Sequence, residues 1–116
     1  MMTKDLRANR GHANIVVIEM IPNYVTVIAE MTAHEGKEEE LKRHLLVLVD
    51  QTRREEGCVQ YDLHVAEDPR KFLFVENWTT AEALERHANS AHMQVFKEAS
   101  AGLREAPIVR IFTRII

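Results

Sequence analysis

From residue 24 onward, alternating apolar and polar residues predict four β-strands. The first covers Tyr24 to Met31, where β-branched residues are frequent and every second side chain is apolar. The second and third, Cys58 to Val65 and Lys71 to Trp78, flank the turn Glu67-Asp68-Pro69-Arg70, and this spacing predicts a hairpin. The last strand covers Ile108 to Ile116, where apolar residues again alternate with polar ones.

Two further segments carry apolar residues at helical spacing. The first is Lys37 to Glu55, with acidic residues near its start, where the helix dipole favours negative charge. Its apolar face consists of Leu41, Leu45, Leu48, Val49 and Thr52. Gly57 is expected to end this helix. Thr79-Thr80-Ala81-Glu82 has the spacing of a capping box and predicts a second helix from about Thr80, interrupted near Asn89-Ser90.

The predicted order of elements is therefore βαββαβ. This order is typical of the ferredoxin-like α+β fold, in which an antiparallel four-stranded sheet carries both helices on one face. The other face also carries apolar and aromatic side chains, and a monomer rarely leaves such a large apolar patch in water. The sequence therefore predicts a homodimer that covers this face.

The composition limits the classes of function. A length of 116 residues fits one domain, and no segment approaches the ~18 consecutive apolar residues of a membrane span. With a formal net charge of -3, the chain lacks the basic surface that nucleic acid requires. The single cysteine, Cys58, excludes an intrachain disulfide and fits a reducing compartment. We therefore expect a cytoplasmic protein that binds neither membranes nor nucleic acid.

Residues 1–21 precede the regular pattern. The apolar stretch Ile15 to Ile21 is interrupted by Glu19 and lacks a small-residue cleavage site, so a signal peptide is not expected. Two interpretations stay open, a mobile extension or an additional strand at Ile15 to Met20. The predicted division is an N-terminal extension at 1–21 and one domain at 22–116.

Three short motifs follow one another in this domain. They are E-G-C-x-x-Y-x-L beginning at Glu56, E-x-W beginning at Glu76 and H-x-x-S-x-H beginning at His87. In this order they resemble the antibiotic-biosynthesis monooxygenase (ABM) family, and the similarity extends over nearly all of Tyr24 to Ile116. The resemblance implies a dimeric α+β barrel, in which two ferredoxin-like sheets face each other and each subunit has a pocket between sheet and helices.

Members of this family catalyse different reactions on one fold. They include oxygenases that oxidise polycyclic phenols or quinols without metal or flavin, haem-degrading enzymes, and an isomerase that acts on a phosphorylated signalling molecule. In the haem-degrading branch, a pocket Trp acts with an Asn on the first strand and a His in the second helical region. Trp78 matches the Trp, but no Asn occurs between Tyr24 and Ala33, where Glu30 is the nearest polar residue. Haem degradation is therefore disfavoured, and neither a cofactor nor a metal is expected.

His87, His92 and Trp78 are the candidate catalytic residues. Imidazole titrates near neutral pH, so either histidine could act as a base or as an anchor for the substrate; capping or packing at the helix break is the structural alternative. Their spacing of five residues is unsuited to two metal ligands on one helix face. Trp78 either offers a flat surface for stacking on a planar substrate or packs against a helix.

Glu76 and Asn77, at the end of the third strand, are candidate substrate-binding residues. Glu76 shares a strand face with Trp78 and is either a pocket carboxylate or an ion-pair partner of Arg110 or Arg114. The ion pair is the favoured interpretation. Asn77 points to the opposite face, where it donates to a ligand or satisfies backbone groups near the hairpin.

Tyr61, His64 and Phe96 complete the candidate substrate-binding residues. Tyr61 and His64 lie on opposite faces of the second strand, so only one of them can point into a given pocket. Tyr61 is expected to form a hydrogen bond within the core. Cys58 has no histidine at a fixed distance that would serve as its base, so it is interpreted as a small buried residue rather than a nucleophile.

Three functions are compatible with these residues. The first is a cofactor-independent monooxygenase that acts on a small aromatic or quinol-like substrate in a pocket between sheet and helices. The second is an isomerase of a small hydroxyketone, with His87, His92 and Glu76 as acid and base groups in the same pocket. The third is a noncatalytic dimeric binding module, because every residue singled out also has a structural role.

Overall fold

Four antiparallel strands form one sheet in the order β2-β3-β1-β4. A computed structural model describes residues 24–116, so the extension at 1–21 and the additional strand proposed at Ile15 to Met20 lie outside the described part. The strands are β1 Val25–Thr32, β2 Cys58–Val65, β3 Lys71–Trp78 and β4 Ile108–Thr113. β1 is central and pairs with both β3 and β4, which the ferredoxin-like topology requires.

Three helices accompany the sheet in the part of the chain that the structure describes. They are α1 Glu38–Thr52, α2 Ala81–Ala88 and α3 Ala91–Ser100, and a short 3-10 turn, Ala101–Leu103, follows α3. The predicted βαββαβ order is thus confirmed, with the second helical region divided at the predicted interruption. Within residues 24–116, none of the helices has the length and apolar character needed to cross a bilayer.

The ends of two helices differ from the sequence prediction. α1 ends at Thr52 rather than Glu55, so Glu55 lies in the turn that leads to β2. The hydroxyl of Thr80 caps α2 by accepting a 3.0 Å hydrogen bond from the amide of Ala83. The cap therefore lies one residue after Thr79, the residue that the predicted box paired with Glu82, and the box is wrong because Ala83 occupies the third helical position.

Ser90 separates α2 from α3. Its hydroxyl donates to the carbonyl of His87 at 2.8 Å and accepts from the amide of Met93 at 3.3 Å, so one side chain closes the first helix and caps the second. The chain changes direction at this point. His87 and His92 consequently lie on different helices rather than on one.

The helices cover one face of the sheet and bury its apolar side chains. Buried strand residues on this face are Val27, Ala29, Met31, Tyr61, Phe72, Phe74, Glu76 and Trp78. The opposite face, which we call the open face, is covered by none of the helices of residues 24–116. Its apolar residues are Ile28, Leu73, Val75, Ile108 and Phe112, none of which is buried.

Candidate active site

Three polar side chains from separate elements meet on the helix-covered side of the sheet. The Oε2 atom of Glu55 lies 2.8 Å from Nδ1 of His87 and 2.7 Å from Nε2 of His92. All three side chains are largely buried, with exposures of 14% for Glu55, 6% for His87 and 20% for His92. Because a carboxylate only accepts hydrogen bonds, each histidine donates a ring proton to it. We call these three residues the Glu55 cluster.

The turn after α1 brings Glu55 to this position. Its amide donates to the carbonyl of Thr52 at 2.9 Å, and its own carbonyl accepts from the amide of Cys58 at 3.2 Å. His87 lies in the last turn of α2 and His92 in the first turn of α3. The break between the two helices therefore directs both imidazoles toward one carboxylate.

Aromatic neighbours hold the imidazole of His87. Its centroid lies 4.7 Å from that of Trp78 and 5.5 Å from that of Tyr61. Its Nδ1 donates a hydrogen bond to Glu55, while its Nε2 has no hydrogen-bond partner among residues 24–116. Burial lowers the pKa of His87, although the hydrogen bond that His87 donates to Glu55 opposes this effect. At neutral pH, His87 is therefore a neutral imidazole with a free lone pair on Nε2.

Glu76 provides a second acid-base group. It is 4% exposed, and its Oε1 accepts a 2.9 Å hydrogen bond from Nε1 of Trp78. Burial raises the pKa of Glu76 to about 7, and the hydrogen bond from Trp78 opposes the increase. Burial, followed by the charge of Glu76, also raises the pKa of Tyr61, which stays protonated. At neutral pH, Glu76 is thus populated both as acid and as carboxylate.

A cavity of about 510 Å³ lies between the sheet and the second helical region. This volume is within the ~300–1,000 Å³ typical of sites for small molecules. The lining is mostly apolar, and its polar or charged members are Tyr61, Glu76, His87, Lys97 and Arg104. A mainly apolar cavity with a few convergent polar groups is the usual form of a small-molecule site.

Four of the predicted site residues line this cavity: Tyr61, Glu76, His87 and Phe96. Trp78 lies behind the wall. It is fully buried and is in contact with Glu76 and His87, so none of its surface is left for a bound molecule. Of the two interpretations of Trp78, the structure shows packing rather than stacking on a substrate.

Three other predicted residues lie outside the cavity wall. His92 belongs to the Glu55 cluster, and its ring centroid lies 6.2 Å from that of His87. Asn77 projects from the open face and hydrogen-bonds to Thr26, and His64 is exposed beside a smaller groove between α1 and β2. The prediction that Asn77 and His64 contact a substrate in the cavity is corrected, because strand alternation turns both away from it.

The favoured ion pair of Glu76 is also wrong. Arg110 lies opposite Ile28 and projects from the open face, where its Nη1 is 3.7 Å from the carboxylate of Glu30. Arg114 donates instead to the carbonyl of Ile116 at 3.0 Å. Glu76 is therefore a carboxyl of the cavity wall, the alternative interpretation from the sequence.

Cys58 does not have the properties of a nucleophile. Burial, reinforced by the nearby charges of Glu55 and Glu76, raises its thiol pKa to about 11. The thiolate is the reactive form, so this thiol is unreactive at neutral pH. Its packing against the core confirms the interpretation as a small structural residue.

Sequence reasoning missed Glu55, Lys97 and Arg104. Glu55 is separated from its two histidine partners by 32 and 37 positions, and nothing local distinguishes it from the neighbouring Glu56. Lys97 and Arg104 are ordinary basic residues until the fold places them on the cavity wall. The one available signal for Glu55 is its position directly before the E-G-C motif.

The Glu55 cluster also has the composition of a metal site. The ligand atoms of Glu55, His87 and His92 all lie within 4.8 Å of one another. Two imidazoles and a carboxylate are a donor set that transition metals bind. The spacing of five residues does not prevent His87 and His92 from sharing a metal ion, because the two histidines occupy separate helices. In the structure, the same nitrogen and oxygen atoms form hydrogen bonds with one another.

Residues 24–99 match the family described as "Antibiotic biosynthesis monooxygenase". The chain is 35% identical over 81 residues to a Bacillus subtilis protein named "Putative monooxygenase YcnE", an alignment that covers 68% of this chain and 84% of that protein. The crystal structure of PA3566 from Pseudomonas aeruginosa is similar with a TM-score of 0.77 and 37% identity, over 81% of this chain and 96% of that one. The crystal structure of SO0527 from Shewanella oneidensis is similar with a TM-score of 0.75 and 31% identity, over 81% of this chain and 93% of that one.

The family match covers most of the described residues and includes every member of the Glu55 cluster. Together with the relative named as a monooxygenase, it supports a monooxygenase-like function. The chain belongs to the antibiotic biosynthesis monooxygenase family.

Proposed function

We propose that this protein is a monooxygenase that acts on a small aromatic, quinol-like molecule in the 510 Å³ cavity. The observation that carries the proposal is the hydrogen bond between Glu55 and His87. It fixes the proton on Nδ1 and leaves the basic Nε2 of an imidazole that lines the cavity. The apolar lining suits a planar aromatic ring, and it limits the access of water to the reacting centre.

The first step is removal of a proton from the substrate. Nε2 of His87 takes the proton of a phenol or of an activated ring CH₂ group, which leaves an electron-rich anion. The positive charge that develops on the imidazole is stabilised by the Glu55 carboxylate 2.8 Å away. Glu55 is therefore a positioning residue that acts through His87.

The oxygen step balances without another reductant. The substrate anion transfers one electron to O₂, and the resulting radical pair combines to form a C–O bond. The peroxide anion takes the proton held by His87, and the hydroperoxide then loses water to give a ketone. For a ring CH₂ group the net reaction is R₂CH₂ + O₂ → R₂C=O + H₂O. His87, which is neutral again, takes the remaining carbon-bound proton of the hydroperoxide, while protonated Glu76 donates a proton to the departing oxygen; the proton on His87 then restores protonated Glu76.

We expect the pH profile of kcat/KM to be bell-shaped. His87 must be neutral to accept a proton. Because its pKa is lowered from 6.5, activity increases with rising pH in the range below pH 6.5, as this group loses its proton. Glu76 must be protonated, so activity falls as pH rises through its pKa of about 7. Steady-state assays of Glu76→Gln should show the rising limb alone. If the decrease at high pH persists unchanged in this variant, a group other than Glu76 causes it.

Oxygen uptake tests the proposed reaction. A panel of anthrones and quinols is incubated with the protein in an oxygen electrode, and enzymatic uptake is compared with the spontaneous rate of each compound. We expect at least one member to consume one O₂ per product formed without release of hydrogen peroxide. Uptake no faster than the spontaneous rate for every member would count against a monooxygenase of this substrate class.

An isomerase is the second candidate, because the cavity holds two acid-base groups, His87 and Glu76, that could move a proton between two substrate atoms. A hydroxyketone substrate would then exchange a carbon-bound hydrogen with solvent deuterium without consuming oxygen. NMR in D₂O separates the two functions, since the monooxygenase requires O₂ for any net change.

We also propose that the protein is a homodimer that covers the open face. Ile108 and Phe112 on β4 are 52% and 50% exposed there in one subunit. Sedimentation equilibrium should give twice the chain mass, and Phe112→Asp should shift the protein toward monomer. Val95→Asp is the matched control, because Val95 is 65% exposed on α3, away from this face. A wild-type monomer at assay concentrations would contradict the dimer.

A further inference from the structure

Two cationic side chains line the mostly apolar cavity, Lys97 from α3 and Arg104 after the 3-10 turn. Neither forms an ion pair with an acidic side chain of residues 24–116. Lys97 is exposed, and its charge contributes to the lowered pKa of His87, which places it within electrostatic range of the cavity. Two unpaired cations at one apolar cavity favour an anionic group on the molecule that enters it.

Internal contacts hold the guanidinium of Arg104 in place. Its Nε donates to Oγ of the fully buried Ser100 at 2.9 Å, and its central carbon lies 5.7 Å from the ring centroid of Phe96. Nη1 makes a longer 3.4 Å contact with the carbonyl of Glu105, and Nη2 has no hydrogen bond to the described residues. An arginine positioned through Nε keeps Nη donors for the planar, paired geometry of a carboxylate.

Arg104 and Glu76 join the cavity wall from opposite ends of β1. Glu76 pairs across the sheet with Val27, near the start of β1, whereas Arg104 bridges to Ala33, just past the end of that strand. Both side chains line the same cavity. A molecule that contacts both of them therefore extends along the strand direction.

We propose that the substrate is an aromatic carboxylic acid, with its reacting ring beside His87 and Glu76 and its carboxylate bound by Arg104 and Lys97. This rests on the proposed function, because that function assigns the reacting ring to the His87 end. The aromatic body occupies the apolar middle of the cavity. The carboxylate pairs with two cations that have no acidic partner among residues 24–116.

A matched pair of ligands that cannot be oxidised further tests the carboxylate site. Anthraquinone-2-carboxylate and its neutral carboxamide have the same rings, and binding is followed through Trp78, the single tryptophan. A hydrogen bond to a charged group contributes about 1.5–3 kcal/mol, so the acid should bind about 10- to 100-fold more tightly than the amide. Arg104→Gln and Lys97→Gln should each reduce this preference at least threefold while changing amide binding less than twofold.

Two further variants separate recognition from packing. Arg104→Lys should recover part of the preference for the acid, because it keeps the charge. Arg43→Gln removes a charge from the exposed surface of α1 and should leave the preference unchanged. Equal binding of acid and amide to the wild type would overturn the carboxylate site and leave the proposed oxygenase standing, since neither ligand turns over. Equal weakening of both ligands by Arg104→Gln and by Lys97→Gln, or no binding of either to the wild type, would also overturn it.

Discussion

Replacing His87 with glutamine is expected to lower kcat for oxygen uptake by about 10²- to 10⁴-fold, the usual contribution of a positioned general base. Glutamine keeps a similar length and can still hydrogen-bond to Glu55, but it cannot accept the proton of the substrate. Steady-state oxygen uptake with the best substrate of the panel measures the effect. His34→Gln, an exposed histidine beyond β1, is the matched control and should retain full activity.

Glu55→Gln tests the role of His87 as the base by changing its hydrogen-bond partner. An amide no longer stabilises the charged imidazole, and it can turn its own NH₂ toward Nδ1, so that the free lone pair on Nε2 is lost. We expect a smaller decrease in kcat than for His87→Gln, with KM unchanged and the rising limb of the pH profile displaced to lower pH. If His87→Gln and Glu55→Gln both retained the wild-type kcat, His87 would not be the base.

Gly57→Ala should destabilise the fold more than most single substitutions. Gly57 has a φ of +88°, and a Cβ at this position would lie 2.5 Å from Cβ of Ala83 on α2. A left-handed backbone costs about 1–2 kcal/mol for alanine, and overpacking adds about 1–3 kcal/mol. We expect the free energy of unfolding, measured by urea denaturation, to fall by about 2–4 kcal/mol.

Gly36→Ala provides the control for this prediction. Gly36 has a similar φ of +80°, but nothing lies within 4 Å of the added Cβ, so only the backbone cost of about 1–2 kcal/mol applies. Equal losses in the two variants would show that the contact with Ala83 is unimportant. The contact matters for the site because Ala83 lies one turn before His87, so Gly57 sets how closely α2 brings that histidine to Glu55.

Local patterns were sufficient to predict the fold. Alternation defined the strands. The order of the strand and helix segments, βαββαβ, then indicated the ferredoxin-like sheet topology. Alternation also placed Tyr61 and His64 on opposite faces of the second strand, and Glu76 and Asn77 on opposite faces of the third, as the strand register confirms. What failed was the identity of partners: the charge of Glu76 suggested an arginine, but strand register places Arg110 on the open face.

The candidate site depended on distances that no local pattern contains. Both histidines were identified from a short motif, yet their shared partner is Glu55, which follows α1 and lies far away in sequence. The helix break at Ser90 was visible as an interruption, but its consequence, two imidazoles aimed at one carboxylate, requires the packing of α2 and α3. Arg104 likewise becomes a cavity residue only through its bridge to Ala33.

Isotope labelling tests the central claim most directly, namely that the Glu55 and His87 pair drives insertion of oxygen into an aromatic substrate. The protein is incubated under ¹⁸O₂ with an anthrone of the panel, and the product is analysed by mass spectrometry after rapid quenching. We predict one ¹⁸O atom in the product, no label from H₂¹⁸O, and loss of this incorporation in His87→Gln. An unlabelled product formed with release of hydrogen peroxide, or incorporation that His87→Gln leaves unchanged, would contradict it.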